Sequence, residues 1–234
     1  MNMSPRLGVG WSTHFDRPWP VRILYRRLRY AYRAPSLFVE QMIGAGATIS
    51  FLRFDERLLA EDLDGTQMAL ADAVDFLYLS THGENKSAAY KVALHGADWS
   101  PTSSGIGAAG PVIAVFDTCD LVDFSDANWM DSWSQGVGTA LRIILGFAGP
   151  ATVNQSASLR GLAFAENLQA GMPIAPSWLS AVQQTSLPQT DRAVAIAIGD
   201  DDDDAEYILQ QSTLSNPPPP RTADTPSIRA EVCP

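Results

Sequence analysis

The chain has 234 residues, 46% of them hydrophobic and 18% charged, so it can bury one large core or two small ones. Its net charge is −10, and half of that sits in a single run, Asp200 to Asp204. This balance argues against general affinity for nucleic acid or an anionic membrane surface. No apolar window approaches the roughly 18 residues of a membrane span. "MNMSPRLGVGWSTHF" lacks the apolar core of a secretion signal. Cys119 and Cys233 stand in unlike contexts, which predicts free thiols and a cytoplasmic setting. Cys233 is next to last and forms no prenylation box.

In chain order, Arg6 to Ser12 predicts a short strand. "RILYRRLRYAYR" is the one basic cluster. Its Arg22, Arg26, Arg29 and Arg33 fall on one face if the segment is helical, and predict an internal or acidic-partner contact. "PSLFVEQMIGAG" reads as a helix, with Pro35 near its start and Gly44 past its end. Ala47 to Phe54 alternates and is rich in β-formers, so it reads as a strand. Asp55 to Ala73 reads as loop and short helix. Val74 to Thr81 is a strong strand, and "AYKVALHG" one arm of a hairpin. Pro111 to Thr118 and Leu141 to Phe147 are further apolar strands. Ala157 to Gly171 reads as a helix capped by Ser158 and ended by Gly171, and Ser177 opens another with Trp178. "RAVAIAIG" and "AEYILQQST" read as late strands joined by a solvated aspartate run. From this follow an α/β unit over 1–214 and a Pro-rich disordered tail over 215–234.

Short apolar strands separated by helices predict a mostly parallel sheet covered on both faces, an α/β three-layer sandwich. Sites in such sheets form at the carboxyl ends of strands. "DFLYLSTHGENK" ends its apolar run at His82-Gly83, and "PVIAVFDTCDLV" ends at Cys119. Either residue alone reads as structural. Together, at the same point of two successive strong strands, they suggest a thiol nucleophile and its base. The backbone N–H groups of Gly83 and Cys119 are the expected oxyanion donors. Trp129, Trp133 and Trp178 are available to wall a cleft, and Asn154 follows a strand end within reach of substrate. His14 and His95 share no metal-binding spacing with His82, and the aspartate run lacks calcium-loop order, so neither metal nor cofactor is expected.

The two blocks, His-Gly and Asp-x-Cys, in that order, resemble the caspase-like peptidase clan, which includes caspases, metacaspases, legumains, gingipains and clostripains. "STHG" resembles the "SGHG" of metacaspases, and "DTC" their "DSC". The resemblance covers about Leu7 to Gln183. The stretch from "LRIILGFAGPATVN" to "SWLSAV" is similar to bacterial caspase-like domains of undefined function. The resemblance implies a cysteine endopeptidase with a His82–Cys119 dyad, the residues His82, Gly83 and Cys119 carrying over directly. It also implies that Asp117, two before the cysteine, helps hold a basic side chain, hence cleavage after Arg or Lys. A turn-capping role for Asp117 is the competing reading. Asp120 and Asp123 add negative charge. Two departures stand out: Thr81 precedes His82, and Asp120 follows Cys119, where a carboxylate raises the thiol pKa. A binding module that has lost catalysis, and a peptide ligase or cyclase using the same dyad, remain open alternatives.

Overall fold

The structure, a computed structural model, describes residues 4–17, 27–64, 69–86, 89–102, 104–121, 129–185 and 191–233, with backbone alone for 84–86 and 89. The elements run β1 (Arg6–Trp11), α1 (Arg33–Gly44), β2 (Thr48–Phe54), β3 (Phe76–Ser80), β4 (His82–Lys86), β5 (Ala89–Ala93) and β6 (Asp98–Trp99). Then come β7 (Ile113–Asp117), α2 (Trp129–Gly136), β8 (Ile143–Phe147), α3 (Arg160–Gln169), α4 (Ile174–Thr185), β9 (Ala193–Gly199), α5 (Asp202–Gln211) and β10 (Ser227–Val232). Among the described residues, three short 3-10 turns lie between β2 and β3.

Seven strands form one sheet in the order β10-β9-β8-β7-β3-β1-β2. Neighbours from β2 to β8 are parallel, while β9 and β10 are antiparallel. The period of two along each strand sends side chains to opposite faces. Phe76 and Tyr78 of β3 join a core with Phe38, Phe164 and Trp178 from α1, α3 and α4. Leu77 and Leu79 join the opposite core with Phe116, Trp133, Tyr90 and Trp99. Both faces are therefore dry, which explains why β3, β7, β8 and β9 are buried at every position. In β9, alanines at 193, 195 and 197 face the helices, and Val194, Ile196 and Ile198 face the other layer. The architecture is a three-layer α/β sandwich, as the strand pattern predicts. A second, antiparallel sheet, β4-β5-β6, grows from the carboxyl end of β3.

Five expectations need correction. "AEYILQQST" contributes to helix α5, not to a strand. Asp201 caps it by accepting the Asp204 N–H at 2.8 Å, and Asp202 to Asp204 sit in its first turn, where carboxylates complement the helix dipole. Ala205, Ile208 and Leu209 are its buried residues, the i, i+3, i+4 stripe of an amphipathic helix. The aspartate run is also not a solvated loop. Asp204 pairs with the buried Arg142 at 2.5 Å, and Asp202 with Arg229 at 2.6 Å.

The tail is ordered through 216–233. Asp200 accepts the N–H groups of Thr222 (2.8 Å) and Ala223 (2.9 Å), Arg142 donates to the Pro219 carbonyl, and β10 pairs along the whole of β9. Ser158 does not cap α3; its hydroxyl donates to the Gln155 carbonyl. Finally, Arg29 precedes α1 and Arg33 opens it, so no helix face joins them; Arg22, Arg26 and Asp123 lie outside the described residues.

Candidate active site

Parallel pairing sets β3 beside β7, with Ser80 opposite Asp117. Their continuations therefore emerge together at the carboxyl edge of the sheet. From β3 the chain passes through Thr81, whose hydroxyl donates to the Ala93 carbonyl, and enters β4 at His82. From β7 it passes through Thr118 and Cys119 and turns sharply at Asp120, which adopts a left-handed φ of 53°. Asp and Asn tolerate that region better than most side chains. The turn is held by two bonds to the end of β8: Asp120 N–H to Gly149 O at 2.8 Å, and Leu121 N–H to Phe147 O at 2.8 Å. Cys119 is left at the apex.

Gly83 packs directly onto this apex. A Cβ added there would stand 2.2 Å from the Cys119 carbonyl oxygen and 2.8 Å from Thr118 Oγ1. The missing side chain thus admits the chain's own cysteine loop, rather than leaving space for substrate. A cavity of about 190 Å³ opens beside it, lined by Leu28, Thr81, His82, Asp117, Thr118, Cys119, Ala151 and Val153. His82 and Cys119 are both half-buried walls of it. The Phe15 ring lies against the His82 imidazole, centroids 4.9 Å apart. Cys119 Sγ receives the Ala151 N–H at 3.2 Å. Among the described residues no backbone carbonyl receives the Cys119 N–H.

Behind the cavity sits a buried ionic cluster. Arg160, 1% exposed, donates from Nε to Asp117 Oδ2 at 3.1 Å, and its Nη2 lies 2.8 Å from Asp117 Oδ1. Nη1 stands 3.5 Å from Asp191 Oδ2, and Nη2 donates to the Thr152 carbonyl at 2.7 Å. The Tyr78 hydroxyl donates to Asp117 Oδ2 at 3.3 Å. Burial opposes the Arg160 charge, but Asp117, Tyr78 and Asp191 outweigh it and hold the guanidinium protonated. Burial, then the Asp117 charge, pushes the Tyr78 phenol far up. The Cys119 thiol is pushed up as well, first by burial and further by Asp120 and Asp117. The Ala151 N–H and Arg160 act in the opposite sense. At neutral pH Cys119 is therefore a thiol.

Of the residues expected in the site, His82, Cys119 and Asp117 line one cavity and Gly83 abuts it. Asp117 is not an open carboxylate waiting for a substrate cation, because Arg160 and Tyr78 already occupy it. Asp120 contributes the turn and a charge beside the thiol, not a cavity wall. Asn154 does not face the cavity; its Oδ1 accepts the Ala157 N–H and so caps the turn leading into α3. Trp178 is fully buried in the helix-side core, donating to Gly146 O at 3.1 Å, and Trp133 is fully buried on the opposite side. Neither walls a cleft. Arg160, Ala151, Phe15 and Leu28 are the functional neighbours the sequence reading missed. Only Arg160 left a signal, as the one cation in the otherwise uncharged stretch 151–165.

Fold and site together define an α/β sandwich that gathers a cysteine and a histidine where two adjacent parallel strands end. The chain belongs to the family described as a domain of unknown function, DUF6345, whose profile matches residues 25–226. A search of curated proteins finds no match. Among the described residues no helix is long and apolar enough to cross a membrane, and no group of three or more His, Cys, Asp or Glu is placed to hold a metal ion.

Proposed function

We propose that this protein is a cysteine endopeptidase of caspase-like type, with Cys119 as nucleophile and His82 as general base and acid. The observation that carries this reading is the common cavity of the two residues, at the carboxyl ends of β3 and β7. Because the thiol pKa is raised, attack does not start from a preformed thiolate. His82 takes the Cys119 proton as sulfur bonds to the peptide carbonyl carbon, and returns it to the amine that departs. Water, deprotonated by His82, then attacks the thioester carbonyl; the peptide acid leaves and the thiol is restored. The N–H groups of Cys119 and Gly83 are the assigned oxyanion donors.

A preference for Arg or Lys before the scissile bond loses one support and keeps another. Asp117 is engaged by Arg160. Yet the Asp117 and Asp120 charges still act at Cys119, and negative charge beside the thiol favours a cationic side chain. The acidic-partner contact assigned to the basic segment now rests on Arg29 and Arg33.

A peptide library digested by wild type, Cys119→Ala and His82→Ala, read by mass spectrometry, is the test. The expected result is cut products gaining one water from wild type alone. Equal products from wild type and Cys119→Ala overturn the reading, and products without added water identify a ligase. One observation favours a second reading, a binding module without catalysis: the combined effect of burial and Asp120 on the thiol. That reading predicts peptide binding without cleavage.

A further inference from the structure

The Arg160 guanidinium touches both segments that frame the thiol. On one side it holds Asp117, the last residue of β7 and two before Cys119. On the other it donates to the Thr152 carbonyl, after β8. Thr152 is fixed further by Asp191, whose Oδ1 accepts its N–H at 2.9 Å and its hydroxyl at 2.7 Å, while Asp191 Oδ2 faces Arg160. The residue before Thr152 is Ala151, and its N–H points at Cys119 Sγ. The guanidinium plane is held in turn by the Phe147 ring, with Cζ 4.9 Å from its centroid. A planar fork with five donors joins two strand ends in fixed geometry, whereas the three donors of an ammonium sit on one compact point charge.

We infer that Arg160 is the positioning residue of the Cys119 thiol: it ties the end of β7 to the segment after β8, and so keeps the Ala151 N–H on Sγ. The inference rests on reading Cys119 as the nucleophile. A structural role alone would not need such a residue, since a buried ion pair replaced by well-packed apolar groups often costs no stability. What the cluster supplies is geometry and sign. A thiolate formed during attack finds a hydrogen bond from Ala151 and a fixed cation behind it, offsetting Asp117 and Asp120.

The test needs no peptide turnover. Full-length wild type, Arg160→Met and Arg160→Lys are alkylated with iodoacetamide across a pH series, and Cys119 and Cys233 are quantified separately by peptide mapping. Near-UV circular dichroism verifies that each variant is folded. In Arg160→Met the midpoint of the Cys119 profile rises by about one pH unit, a roughly tenfold slower reaction at neutral pH, while Cys233 is unchanged. Arg160→Lys keeps the charge in the cluster and loses the fork, so its midpoint also rises, but less. If the methionine variant does not fold, the lysine variant decides. A folded variant with the wild-type Cys119 profile overturns the inference. Wild type that fails to cut peptides, with the profile shifted as described, overturns the peptidase reading alone.

Discussion

Cys119 sits where burial and two carboxylates favour its protonated form, while the Ala151 N–H and Arg160 work for the thiolate. The sign follows directly: a raised thiol pKa means that intrinsic reactivity climbs only as the pH passes above the ordinary cysteine range. Removing the Asp120 charge moves that climb downward. Asp120→Asn keeps a side chain tolerant of the left-handed turn. It is expected to speed alkylation of Cys119 at neutral pH by roughly twofold to tenfold, measured against Cys233 in the same sample. His82 and Cys119 were legible in the sequence because each ends an apolar run, and runs buried on both faces have few alternatives to a strand. Asp117 was legible in position but not in role. Its partner, Arg160, comes 43 residues later, on an element that only the fold brings behind it. Trp178 and Asn154 were misjudged for a related reason. An aromatic near a proline-rich turn and a polar residue after a strand end look alike in sequence whether they face a cleft, a core or a helix start.

Helix α5 shows how local chemistry can be misread when each residue is taken alone. Five consecutive aspartates look like a solvated loop, yet one is an N-cap and three occupy the first turn. The stripe of Ala205, Ile208 and Leu209 was there to be read as a helix, but "YIL" also reads as β. Asp201→Ala is expected to lower stability by about 1 kcal/mol, the usual cost of a lost N-cap, seen as a shifted denaturant midpoint. Asp200 ties the segment after α5 back to the sheet. The Ala223 N–H above all holds its carboxylate below the ordinary range; burial opposes it, and the Thr222 contacts and the Arg142 charge add to the lowering. A depressed folded-state pKa contributes stability that is complete above the unfolded value and lost as the pH falls through the folded one. The protection of the Thr222 and Ala223 amides, relative to their intrinsic exchange rates, is therefore expected to fall on acidification through and below the carboxylate range, ahead of the protection in β7. Unchanged protection there would count against the tie. The proline-rich composition around Pro217 to Pro220 hid this order, because the partners that fix it lie in residues 139–204.

Across the whole molecule, a sheet buried on both faces offers one kind of place for chemistry, the edge where parallel strands hand over to loops. The fold class was legible for that reason: β3, β7 and β8 could be little else. The order of strands, the second sheet and the last strand depended on long-range pairing that local pattern does not encode. β10 covers the otherwise open side of β9 and buries Ile228. Deleting residues 227–234 uncovers that edge and forfeits about 2 kcal/mol from Ile228 alone. The truncated chain is expected to melt earlier and to self-associate in sedimentation velocity, while the full chain does not. The central claim is the coupling of His82 to Cys119 across the cavity that β3 and β7 open. Its most direct test is the rate at which a peptide bearing a carbonyl electrophile is captured, with the site of attachment mapped by mass spectrometry. The account predicts capture at Cys119 and not at Cys233, slowed by about a hundredfold or more in His82→Ala. Equal labelling of the two cysteines, or a rate indifferent to His82, would contradict it.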